Sequence, residues 1–93
     1  MRIRIESNFF IPGFKGKELE ARDGTTLRQL LRMLADFSEG RIDFFRRGSD
    51  ELDTADWEVE VNGAPCHECR AQLETLLADG DLVAVRINII GGG

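Results

Sequence analysis

Asp79-Gly80-Asp81-Leu82-Val83-Ala84-Val85-Arg86-Ile87-Asn88-Ile89-Ile90-Gly91-Gly92-Gly93 closes the 93-residue sequence. Asp79-Gly80-Asp81 has the composition of a turn. Beyond it Val83, Val85, Ile87 and Ile89 line one face of a strand, while Leu82, Ala84 and Ile90 contribute to the other. A strand apolar on both faces belongs in the middle of a sheet. Three residues without Cβ then follow, ending in an α-carboxylate. Such a segment can lie extended in a slot too narrow for any side chain, which is what access to a terminal carboxyl group requires. The plainer alternative is a loosely ordered chain end. Frayed ends usually follow polar sequence, however, and this one follows an apolar strand. The tail, residues 91–93, reads as presented, and residues 1–90 as one domain.

Working outward, Ile3 and Ile5 alternate with Arg2, Arg4 and Glu6, the period of a half-buried strand. Pro12-Gly13 marks a turn or loop after Phe9-Phe10-Ile11, and Lys17 to Arg22 alternates again through Leu19 and Ala21, so the opening reads as a hairpin. Phe9, Phe10 and Phe14 read as core or hairpin-packing residues. Asp23-Gly24-Thr25 breaks the second strand. Thr26 and Gln29 then have the spacing of a capping box, in which each side chain satisfies a backbone N–H that the helix start leaves free. Leu27, Leu30, Leu31, Leu34 and Phe37 follow at helical spacing with Arg28, Arg32 and Asp36 opposite, and Gly40 is the stop.

Residues 41–56 carry little periodicity, although Ile42, Phe44 and Phe45 can pack beneath them. Trp57, Val59 and Val61 alternate with Glu58 and Glu60 in a strand ended by Asn62-Gly63, a strong tight-turn signal. Glu68 to Ala78 is expected to hold a short helix with Leu73, Leu76 and Leu77 inward. Strand, strand, helix, strand, short helix, strand is an α+β order with one main helix laid across a small sheet. With one long helix available, the other sheet face is expected to stay partly open and to offer an apolar docking patch.

Composition narrows the class. At 42% apolar and 31% charged, the chain lies outside the disordered range. Apolar runs stay far short of the roughly 20 residues that span a bilayer. Alternation from Met1 leaves no signal-peptide core, so a cytoplasmic protein without membrane attachment is expected. The net charge of −5 divides unevenly, +3 over residues 1–47 and −8 over residues 48–93. An acidic balance disfavours nucleic acid as a partner. The acidic half would either steer a basic protein partner or merely solubilise the surface.

At this point the sequence resembles the MoaD/ThiS family of ubiquitin-like sulfur carriers over nearly its whole length. Asp23-Gly24-Thr25-Thr26 enters a Leu-rich helix, Val59-Glu60-Val61-Asn62-Gly63 forms a strand and turn, and Asp79-Gly80-Asp81 with its apolar strand leads to a terminal Gly92-Gly93. The resemblance implies a β-grasp fold, a mixed sheet whose first and last strands are central neighbours. The length and the added segment before the third strand look more like the small subunit of molybdopterin synthase than the shorter thiamine carrier. Two features depart from the family pattern: Arg86 to Ile90 stand where Pro or an aromatic residue often precedes the diglycine, and Gly91 makes the end a triple glycine.

The resemblance also implies a division of labour. A separate adenylyltransferase akin to ubiquitin-activating enzymes, using its own ATP and magnesium, would adenylate Gly93, and persulfide sulfur would convert it to a thiocarboxylate for a synthase large subunit or another sulfur acceptor. This chain would be a carrier with no bound cofactor, not an enzyme. A protein modifier joined through Gly93 to a lysine needs the same activated tail and stays open beside it, as does a thiamine-type carrier. Ile87, Ile89 and Ile90 are the candidate partner-binding residues, supported by acidic residues around Asp79 and Asp81. Gly91 to Gly93 is no phosphate loop, since neither Lys-Ser/Thr nor a helix follows.

Cys66-His67-Glu68-Cys69 also stands out. Two Cys and the one His fall short of the four ligands of structural zinc. A helix start beside Cys66 would favour a redox or sulfur-relay pair, and two reduced thiols on a loop is the plainer reading. One His cannot complete a Ser/His/Asp set, and the carboxylates after Gly48 read as a solvated acidic face.

Overall fold

Alternation in the first strand becomes burial in three dimensions. In the computed structural model, which describes residues 1–88, β1 (Arg2–Ser7) turns Ile3 and Ile5 into the core and its charged residues outward. β2 (Glu18–Glu20) pairs antiparallel with it, Leu19 opposite Ile3. α1 (Leu27–Phe37) crosses the sheet on the inner face, with Leu27, Leu30, Leu31 and Leu34 fully buried. Its capping box forms as expected: the Gln29 N–H donates to Thr26 Oγ1 (3.2 Å) and the Thr26 N–H to Gln29 Oε1 (2.9 Å). Past the last turn the Gly40 N–H closes on the Ala35 carbonyl at 3.3 Å, with φ of 82° that glycine tolerates freely.

β3 (Trp57–Val61) and β4 (Ala64–Pro65) form a hairpin around Asn62-Gly63, whose φ angles of 51° and 87° suit the tight turn. β5 (Leu82–Ile87) runs parallel to β1 and antiparallel to β3, giving the order β2-β1-β5-β3-β4. The strand that reads as apolar on both faces therefore is the central one. Val83 and Val85 are buried beneath the helix and Ala84 is buried on the other face. This is a β-grasp fold. Among the described residues, no helix is long and apolar enough to cross a membrane.

The segment with little periodicity closes one end of the core. Phe44 and Phe45 are buried, Phe45 pairs with Leu52 in an isolated bridge, and Arg32 lies 4.8 Å over the Phe45 ring. Trp57 joins the layers: its ring meets Phe44 edge-on at 4.7 Å and Phe9 at 5.2 Å, and its indole N–H donates to the Asp43 carbonyl at 3.0 Å.

Two expectations fail here. Glu68 to Ala78 is not a helix but two short 3-10 turns, Cys66–Glu68 and Gln72–Glu74, followed by an extended run. The Leu27 N–H donates to Thr75 and the Leu77 N–H to Thr25, so residues 75–77 lie alongside the chain entering α1. Extended residues alternate sides. Leu77 is buried and Leu76 is 68% exposed, instead of both pointing inward. Phe10, read as packing, is 80% exposed: Phe9 stacks on Trp57 and Phe14 on Phe37, leaving the residue between without a core position.

Candidate functional site

The last described residues of the chain are held from both sides. β1 ends at Ser7, yet the Asn8 side chain continues its pairing: its Nδ2 donates to the Ile87 carbonyl (3.2 Å) and its Oδ1 accepts from the Ile87 N–H (2.9 Å). One carboxamide thus satisfies both backbone groups of Ile87, which two further residues of a longer β1 would otherwise have met. On the other side the Asn88 N–H donates to the Asp56 carbonyl at 2.7 Å, and its Nδ2 reaches the carbonyls of Thr54 and Ala55, each at 3.3 Å. The point from which residues 89–93 depart is therefore fixed by two asparagine side chains together with one backbone bond to Asp56. Neither asparagine was singled out in the sequence. Asn88 left one signal there, as the polar residue that interrupts Ile87-Asn88-Ile89-Ile90.

Of the predicted partner-binding residues, Ile87 lies on the helix-side face, opposite Trp57, and is 37% exposed at the rim. Ile89 and Ile90, with Gly91, Gly92 and Gly93, lie outside the described residues. The acidic residues expected to support docking lie away from the strand exit. Asp79 and Asp81 stand at the start of β5, about 20 Å along the strand from the exit. Both are occupied in building the turn. Asp79 accepts from the Arg2 N–H (2.7 Å), and Asp81 accepts from the Ala78 N–H (2.8 Å) and from Asn62 Nδ2 (3.0 Å).

The open sheet face is not the apolar patch expected of it. Strand alternation places Arg2, Arg4 and Glu6 of β1, Glu18 and Glu20 of β2 and Glu58 and Glu60 of β3 there. β5 contributes Arg86 between Ala84 and the strand exit. Arg86 pairs with Glu60 at 3.1 Å and Glu6 at 3.9 Å, and the hydrogen bond it donates to Glu60, with that carboxylate's charge, holds the guanidinium pKa above its usual value. A cross-strand lattice of charge occupies the face instead, with Leu82 half-buried among it.

Cys66 and Cys69 share the turn after β4. The Cys69 N–H donates to the Cys66 carbonyl at 3.1 Å. Cys66 is buried, and burial, then the neighbouring Cys69, push its thiol pKa up; Cys69 is half-buried with Sγ 3.4 Å from the Pro65 carbonyl. A raised pKa makes a thiol a poorer nucleophile at neutral pH. The turn also begins no helix long enough to activate it. Pro65 pairs with Glu60, three residues along β3 from the Trp57 that faces Ile87, so the pair lies at least about 10 Å from the tail exit. Among the described residues, no three His, Cys, Asp or Glu side chains gather as a metal site.

The sequence model of the ThiS family matches residues 10–93. The chain belongs to the ThiS family. As a member it is a ubiquitin-like sulfur carrier or modifier, a class of small proteins that are generally not enzymes themselves and that work with an activating enzyme and an acceptor. The crystal structure of SAMP1 from Haloferax volcanii is similar in fold, with a TM-score of 0.74 at 19% identity over 99% of this chain and 100% of that one. No curated protein matches the sequence. The ThiS-family match includes Gly91 to Gly93 and begins after Asn8, so the residue that holds Ile87 lies outside it.

Proposed function

We propose that this ThiS-family protein carries sulfur on Gly93. A partner adenylyltransferase lets the Gly93 carboxylate attack the α-phosphorus of ATP, releasing pyrophosphate and leaving an acyl adenylate. A persulfide sulfur then displaces AMP, and a thiol cleaves the resulting acyl disulfide to leave the thiocarboxylate. That sulfur passes to a cofactor precursor, of molybdopterin type, held by a synthase large subunit. ATP, magnesium and the reducing thiol place the reaction in the cytoplasm. The observation that carries the reading is the family match running through Gly93. The doubly anchored exit at Ile87 and Asn88 supports it, because a tail threaded into another enzyme needs a fixed point of departure.

Intact mass after expression with the cognate activating enzyme tests the proposal. Replacement of one oxygen by sulfur at Gly93 is the expected result. Larger conjugates removed by isopeptidase would establish the modifier instead. Sulfur transfer to a thiazole precursor rather than a molybdopterin precursor would move the protein to the thiamine pathway. Gly93→Ala is expected to slow adenylation severely, since its methyl group must enter a slot shaped for bare backbone.

A further inference from the structure

The hydrogen bonds at the two ends of β5 determine which way every backbone group of β3 points. The Asn62 N–H donates to the Leu82 carbonyl and the Asn88 N–H to the Asp56 carbonyl, so even-numbered residues of β5 turn towards β3. Ile87 spends both its backbone groups on Asn8, on the β1 side, so the odd-numbered residues turn away. In an antiparallel pair, residues opposite one another alternate between bonded and non-bonded. Trp57 opposite Ile87 and Val59 opposite Val85 are therefore non-bonded pairs, and their N–H and C=O groups point to the outer edge of β3. The Trp57 N–H is there, taken by the Asp53 carbonyl at 3.0 Å. β4 covers this edge at Glu60 and Val61, and because Pro65 has no N–H its pairing with Glu60 is closed by the Cys66 N–H on the Val59 C=O. Among the described residues, the Trp57 C=O and the Val59 N–H are left without a partner.

These groups border a groove of about 680 Å³ between β3, the segment before it and the 3-10 turns. Leu52, Trp57 and Leu73 make its apolar lining, while Asp50, Glu51, Glu58, Glu60 and Glu74 face two guanidiniums, those of Arg28 and Arg46. Arg28 is committed to Glu74 (2.7 Å) and the Asp50 carbonyl, and Arg46 to Glu51 (3.9 Å). Even with Arg32 and Arg86 reaching Asp50 and Glu60 from outside, the rim stays net negative, and Glu58 makes no ion pair among the described residues. A second copy of a chain with net charge −5 is repelled by such an edge, as exposed strands require if they are not to self-associate.

We propose that the outer edge of β3 is a peptide-binding site: a partner protein's extended segment carrying Lys or Arg at alternate positions adds there as a further strand. The edge supplies two backbone hydrogen bonds, at the Trp57 C=O and the Val59 N–H, the groove takes the segment's apolar side chains, and the carboxylates select its charge. The groove reaches Thr54 and Asn88 at the tail exit, but the proposal does not depend on how Gly93 is used.

The test uses the intact ¹⁵N-labelled protein and a capped Lys-Val-Lys-Val-Lys-Val-Lys peptide. Millimolar or tighter binding is expected, shifting the Val59 amide and slowing its hydrogen exchange at least about tenfold, with the β2 edge unchanged. The Glu/Val counterpart should not bind. A single N-methyl group at the peptide's centre should weaken binding at least about tenfold, and the exposed Glu58→Lys variant should weaken it several-fold. No binding, shifts confined to other surfaces, equal binding of the Glu/Val or N-methyl peptide, an unaffected Glu58→Lys variant, or a Val59 amide already protected in the free protein would each overturn the proposal.

Discussion

The two ends of β5 are fastened by the same chemistry to different purposes. At its start Asn62 spans the strand junction, its Oδ1 accepting from the Leu82 N–H at 2.9 Å and its Nδ2 donating to Asp81. At its exit Asn8 and Asn88 hold Ile87 and the turn before β3. The start anchor sits inside a hairpin with a positive φ, where a β-turn, a strand and the next turn depend on one residue. The exit anchors stand on ordinary backbone, beyond the last buried residue of β5, Val85. A carboxamide at the first place builds the fold. At the second it fixes the end of β5, after which residues 89–93 follow.

Deleting Gly92-Gly93 gives the largest separation between the two ends. Activation by the adenylating enzyme should vanish while the urea midpoint stays where it was, because the buried core of the described residues ends at Val85. A fall in stability as large as that of a core variant would break the distinction.

Asn62→Ala should be the most costly change at the start anchor, about 1.5–3 kcal/mol from two lost hydrogen bonds and a left-handed backbone without its preferred side chain. Asn62→Gly keeps the backbone freedom and should cost less, about 1 kcal/mol, which separates the two causes in equilibrium unfolding. Neither should alter activation of the folded protein.

Asn8→Ala should reverse that pattern. It is expected to cost about 0.5–1.5 kcal/mol, speed hydrogen exchange at Ile87, and raise KM for the activating enzyme several-fold with kcat little changed. An unchanged KM alongside a loosened Ile87 would reduce Asn8 to a structural role.

Cys66, beside the start hairpin, gives the smallest effect. Its folded pKa is raised from 9.0, chiefly by burial, so the folded state holds the proton more tightly than the unfolded one. The stability this contributes is complete below pH 9.0 and lost as pH rises through the folded value. Cys66→Ala should flatten that alkaline decline, read from urea midpoints across pH, and iodoacetamide should label Cys69 well before Cys66.

Sequence alone determined the parts of this protein whose signals are local. A capping box is complete within four residues, an Asn-Gly turn within two, and the apolar faces of α1 and β5 repeat with the periods of helix and strand. The same locality made the tail legible as chemistry. What the tertiary structure decided was everything that depends on which distant segment arrives alongside. Leu76 faces out because residues 75–77 pair with the entry to α1, a contact some fifty residues apart in sequence. The open face is charged because three strands bring Glu6, Arg86 and Glu60 within ion-pair reach of one another, although each strand alone shows only alternation. Asn8 meets Ile87 across 79 residues, and the free edge of β3 exists because β4 ends after two. Periodicity reports how a segment divides its own faces; its neighbours, and the backbone groups they leave unpaired, are set only when the sheet closes.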